Sequence, residues 1–135
     1  MLTNEKTLPP RSTEQFFSLH RHGFARVATA TPLVHVADAK ANADAIVVEA
    51  QRANEAGVDL VVFPELCLSS YAIDDLHLQD ALLSDVEAGI AYVAEASRSL
   101  KPVILVGAPL RRNGRLYNCA LAITRGRILG VVPKI

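Results

Sequence analysis

The chain reads as an α/β domain built on a mixed β-sheet, with helices on at least one face. Three observations carry that expectation. The apolar runs 58–63 and 103–107 are nearly continuous, as in strands covered on both faces. Stretches of helical periodicity separate these runs from each other and from an earlier short strand. After Gly107 the period changes, and two Gly-containing turns punctuate further strands, which is the pattern of an antiparallel meander. A β-α-β-α-β order followed by such a meander gives a mixed sheet.

Residues 1–15 are polar and contain Pro9-Pro10, so a flexible lead-in is expected there and the domain proper over 16–135, with helical character near 13–19. The first strand is expected at 25–30, closed off by Pro32. Asp38 stands at an N-cap position, where its carboxylate can accept from free backbone N–H groups. Ala43, Ile46, Val47, Ala50, Ala53 and Ala56 then recur at helical spacing. Gly57 follows where a left-handed residue ends a helix.

The strand 58–63 is halted by Pro64, and a loop continues to Tyr71. Asp74 or Asp75 is expected to cap a short helix. Ser84-Asp85-Val86-Glu87 has the capping-box pattern, which starts the next helix at Asp85 and carries it to about Ser99. Pro102 precedes the third strand, which Gly107-Ala108-Pro109 closes. Asn113-Gly114 suits a type I′ hairpin turn. A return strand follows over 116–124, then a turn at Arg125-Gly126 and a last strand over 127–132.

The 135 residues suffice for one domain with a core, and 50% hydrophobic with 21% charged residues is a globular composition. Fourteen basic residues balance fourteen acidic ones, which gives no footprint for nucleic acid or an anionic membrane. Arg111, Arg112 and Arg115 surround the Asn-Gly turn as a solvated tip. The N-terminus lacks a secretory apolar core, and no apolar run approaches the roughly 18 residues of a membrane span. A soluble, cytoplasmic protein is therefore expected. Cys67 and Cys119 form no Cys-x-x-Cys pair and suggest no disulfide framework. His20 and His22 form a His-x-His pair without a third ligand nearby, so no metal site is expected. Arg26 either finds a carboxylate partner in the core or points outward from an edge strand.

Phe63-Pro64-Glu65-Leu66 places a carboxylate just after a buried strand, where α/β sheets bind ligands. At the edge of an apolar strand its pKa should be raised, and Glu65 could serve as a general base. On position alone, a solvated surface glutamate is the commoner alternative.

Val61-Val62-Phe63-Pro64-Glu65 resembles the first catalytic motif of the carbon–nitrogen hydrolase (nitrilase) superfamily. Arg115-Leu116-Tyr117-Asn118-Cys119-Ala120, Gly126-Arg127-Ile128 and Val132-Pro133-Lys134 resemble the hairpin that leads to its catalytic lysine. His22-Gly23-Phe24-Ala25-Arg26-Val27-Ala28, Val34 to Asp38, Asn42, Phe63 to Tyr71, Asp75-Leu76 and Gln79-Asp80 are similar, within that superfamily, to the glutaminase domain of glutamine-dependent NAD⁺ synthetases.

The resemblance implies a four-layer α-β-β-α sandwich, of which this chain supplies about half. It makes Glu65 the general base, Lys134 the oxyanion stabiliser and Tyr71 part of a glutamine pocket. The nucleophilic cysteine would stand beyond Lys134, so the chain reads as truncated and inactive alone, with Cys67 and Cys119 as packing residues. Glutamine is the implied substrate, hydrolysed to supply ammonia for ATP-dependent amidation of deamido-NAD⁺. ATP and magnesium would belong to a separate synthetase domain, with no cofactor in this one, and a homo-oligomer is implied for the full-length protein. The alternatives are a stand-alone amidase or nitrilase of the same superfamily and a non-catalytic fragment.

Overall fold

The computed structural model describes residues 17–135, so the expected lead-in lies outside the described residues. Five strands form one sheet in chain order: β1 (Val27–Thr29), β2 (Leu60–Val62), β3 (Val103–Arg112), β4 (Arg115–Thr124) and β5 (Arg127–Pro133). β1, β2 and β3 are parallel, while β3–β4 and β4–β5 are antiparallel hairpins. Helix α1 (Ala39–Glu55) connects β1 to β2, and α2 (Asp80–Ala96) connects β2 to β3. The fold is the expected α/β arrangement with a mixed sheet.

The helices pack against each other and bury one apolar stripe apiece: Ala43, Ile46, Val47 and Ala50 from α1, and Val86, Ile90 and Val93 from α2. The sheet answers with Val61, Ile104, Val106, Leu121 and Ile123, and these side chains form a single core. Gly89 allows the close approach, since a Cβ there would lie 3.3 Å from Leu68 and 3.4 Å from the Ala39 carbonyl. Residues of the opposite strand parity, among them Val27, Val62 and Val132, remain exposed on the other face.

Several boundaries differ from the sequence expectation. α2 begins at Asp80, not Asp85, so Ser84 lies inside the helix and caps nothing; Gln79 is the N-cap and makes no side-chain cap. Leu82 and Leu83 are both buried in that first turn. Burying two leucines stabilises by roughly 3 kcal/mol or more, against about 1 kcal/mol for a cap, so packing sets the start. Neither Asp74 nor Asp75 caps the short 3₁₀ helix Asp74–Leu78, which starts from Ile73. Gly107-Ala108-Pro109 does not close β3. The strand continues to Arg112 because β4 pairs with it from Ile104↔Ile123 to Arg112↔Arg115. β1 and β2 are trimmed to three residues each.

Other local expectations hold. Asp38 accepts from the Ala41 amide at 2.9 Å and caps α1, and Gly57 follows that helix with φ 68°. Asn113 and Gly114 both take positive φ, 51° and 72°, as a type I′ turn requires.

Candidate active site

β2 ends at Val62, and Phe63-Pro64 carries the chain past the carboxyl end of the parallel strands to Glu65. The next turn is tight. Leu66 and Ser70 both adopt left-handed φ, 51° and 81°, a costly conformation for residues with a Cβ. The amides of Ser69 and Ser70 both donate to the Leu66 carbonyl, at 3.1 and 2.9 Å. Gly107 forms the floor of this turn. A Cβ there would lie 2.4 Å from the Leu66 nitrogen and 2.9 Å from the Pro64 carbonyl oxygen. The fully buried Asn42 fastens the far side: its Nδ2 donates to the carbonyls of His35 (2.8 Å) and Leu68 (3.1 Å), and its Oδ1 accepts from the His35 amide (2.7 Å).

Lys134 reaches the same place from the end of β5. Its Nζ donates to Glu65 Oε1 at 2.8 Å, so the fold brings together the two residues that the motifs singled out. Asn118, on β4, donates its Nδ2 to that same oxygen at 2.5 Å. The Asn118 carbonyl accepts from the Lys134 amide at 2.8 Å, which fixes the backbone of one beside the other. These residues line an open depression of about 430 Å³ together with Phe63, Gly107 and Val132.

The surroundings overturn the expected rise in the Glu65 pKa. The hydrogen bond from Lys134, and then that from Asn118, hold the carboxyl below the usual glutamate range and outweigh the opposing effect of partial desolvation. Reciprocally, the bond to Glu65 raises the Lys134 ammonium. The pair is a carboxylate and an ammonium at neutral pH.

Tyr71 closes the loop that Glu65 opens and is 66% exposed. It does not line the depression, although its phenol adds a minor upward influence on Lys134. Cys67 is buried, and burial pushes its thiol up to about 11. The Sγ is occupied by the Gly107 backbone, donating to its carbonyl at 3.6 Å and accepting from its amide at 3.4 Å. Burial also raises the Cys119 thiol. Neither cysteine has the depressed pKa of an activated nucleophile.

His20 pairs with Asp59 at 2.8 Å, and among the described residues no group of three or more His, Cys, Asp or Glu side chains is arranged to hold a metal. Arg26 is exposed, as the outward-facing reading expects, and its guanidinium donates to the Ala56 carbonyl at the end of α1. A larger groove of about 810 Å³ runs between α1 and α2, lined by Ala43, Gly89 and Tyr92, and contains none of the site residues.

Asn118 is a site residue to which sequence reasoning gave no role of its own, and Gly107 was expected to close a strand in a region that flanks the pocket in the resembled family. A signal for Asn118 was present. It alternates with Cys119 and Leu121, which face the core, and so stands among the small residues Ala120 and Ala122 on the open face.

The fold thus sets a carboxylate–lysine pair just past the carboxyl end of β2. The Carbon-nitrogen hydrolase family model matches residues 25–134, and the chain belongs to that family. Curated relatives include the glutamine-dependent NAD(+) synthetase of Mycobacterium tuberculosis, 47% identical over 119 residues, which cover 88% of this chain and 18% of that protein. The corresponding enzyme of Xylella fastidiosa is 33% identical over 78% of this chain and 19% of its own length. The chain thus spans about a fifth of these relatives. Among solved structures, the glutamine-dependent NAD+ synthetase of Acinetobacter baumannii superposes with a TM-score of 0.75 at 28% identity, covering 82% of this chain and 20% of that one. An amidase from Nesterenkonia sp. of the same nitrilase fold gives 0.71 at 22% identity over 82% of this chain and 43% of its own.

Proposed function

We propose that this chain supplies the general base and the oxyanion-stabilising cation of a glutaminase site that feeds ammonia to NAD⁺ synthesis. The observation that carries the reading is the 2.8 Å contact between Lys134 and Glu65 in a chain 47% identical to a glutamine-dependent NAD(+) synthetase. Glu65, kept ionised by its neighbours, is ready to take a proton from a thiol at neutral pH. The thiolate attacks the glutamine carboxamide, and Lys134 turns to the oxyanion that forms. As Lys134 turns away, Glu65 becomes more basic and so holds the thiol proton, which it then gives to the more basic amine nitrogen as the tetrahedral intermediate collapses and ammonia departs. The C–N bond breaks and a thioester remains. Water, losing a proton to Glu65, opens that thioester, and the proton returns to the sulfur as glutamate leaves.

The thiol in this scheme is neither Cys67 nor Cys119. It comes from outside these 135 residues, and the chain by itself turns over no glutamine. Tyr71, at the rim of the loop, contacts the bound amino acid. The ammonia is used by an ATP-dependent step that amidates deamido-NAD⁺.

The test is Lys134→Ala in the full-length polypeptide that carries this segment. Glutamine-driven NAD⁺ synthesis should fall by about 10²–10³-fold or more, the usual loss when an oxyanion donor is removed. Ammonia-driven synthesis should be nearly unchanged. Equal loss of both in a folded variant contradicts the assignment.

A further inference from the structure

We infer that Asn118 is a positioning residue, clamping Glu65 through its side chain and Lys134 through its backbone so that one carboxylate oxygen is left for proton transfer. The inference deepens the proposed glutaminase reading. Its geometric content rests on three contacts: Asn118 Nδ2 to Glu65 Oε1 at 2.5 Å, Lys134 Nζ to the same oxygen at 2.8 Å, and the Lys134 amide to the Asn118 carbonyl at 2.8 Å. Both side-chain donors fall on Oε1. Oε2 takes no hydrogen bond from either, and a carboxylate oxygen without a donor is the better proton acceptor.

Asn118 suits this task in a way that a charged or shorter residue would not. An amide donates to Glu65 without adding charge, so it orients the carboxylate while leaving Lys134 as its cationic partner. When Lys134 turns to an oxyanion, Asn118 keeps Glu65 in place. Its position is rigid because β4 is paired on both sides, with Pro109 opposite on β3 and the start of the tail beyond β5 on the other edge. The polar side chain lines the depression beside Ala120 and Val132, whose side chains offer a carboxylate no hydrogen bond.

The experiment is a ¹³C NMR titration of the Glu65 side-chain carboxyl in the 135-residue chain, which needs no glutamine and no turnover. In the unsubstituted chain the Glu65 midpoint should lie below the ordinary value of about 4.3. The Asn118 side-chain amide resonances should move with that same midpoint. Asn118→Ala should raise the Glu65 midpoint by about 0.5–1 pH unit, the equivalent of one lost hydrogen bond. The isosteric Asn118→Asp should raise it further, because a like charge then faces the carboxylate. Should Asn118→Ala fail to fold, Asn118→Asp and the amide resonances of the unsubstituted chain decide. Asn118 amide signals indifferent to Glu65 ionisation, or an unmoved Glu65 midpoint in a folded variant, would overturn the inference. Neither result would bear on whether the substrate is glutamine, which the synthesis assay with Lys134→Ala judges separately.

Discussion

Asp59 and Glu65 stand at opposite ends of the β2 segment, and cationic neighbours hold both ionised. Asp59 accepts from Lys101 Nζ, from His20 Nε2 and from the Arg26 amide, each at 2.8 Å, and the Lys101 contact contributes most to lowering its pKa. The sign of the pH effect follows. A carboxyl whose folded pKa lies below its unfolded value, about 3.9 for Asp, adds stability that is fully present above that value. The contribution is lost as pH falls toward the folded pKa. The thermal stability of the chain should therefore fall below about pH 4, whereas Asp59→Asn should melt lower at pH 7 and lose less on acidification. Parallel pH dependence in the two proteins would show that Asp59 contributes nothing. At this scale the sequence was half legible. The motifs marked Glu65 and Lys134, but burial alone suggested a raised Glu65 pKa, and the partners that lower it come from strands remote in the chain.

At the scale of elements, the strand–turn–strand crossing at Gly107 decides where Glu65 sits. Gly107 lies in β3 beneath the Pro64–Leu66 turn, and the atoms a Cβ would meet are backbone, which cannot swing aside. Gly107→Ala should destabilise by roughly 1–3 kcal/mol through overpacking and lift Glu65 away from Lys134. Gly130→Ala, where nothing lies within 4 Å, is the control and should melt as the unsubstituted chain does. Equal melting temperatures for the two variants would mean that the turn adapts freely. The helices and hairpins were readable because their signals are local: Asp38 before α1, Gly57 after it, and Asn113-Gly114 at the β3–β4 turn. The start of α2 was not. The Ser84–Glu87 pattern is a sound local cap signal, but the burial of Leu82 and Leu83 is a tertiary effect. The length of β3 escaped for the same reason, since its pairing with β4 continues through residues that alone resemble a turn.

For the molecule as a whole, the helices cover one face of the sheet, and the site opens toward the other. That open face carries Val62 and Val132 beside Glu65, Asn118 and Lys134, so the charged pair borders apolar surface. Both side chains remain partly exposed on this face, which leaves the pair open to an approaching group from that side. Whether Glu65 serves amide hydrolysis and nothing else is decided by Glu65→Gln in the full-length polypeptide carrying this segment, with NAD⁺ synthesis driven by glutamine compared with that driven by ammonia. The glutamine-driven rate should be lost with the ammonia-driven rate nearly intact. A folded Glu65→Gln variant that retained glutamine-driven synthesis, or lost both rates together, would contradict that role.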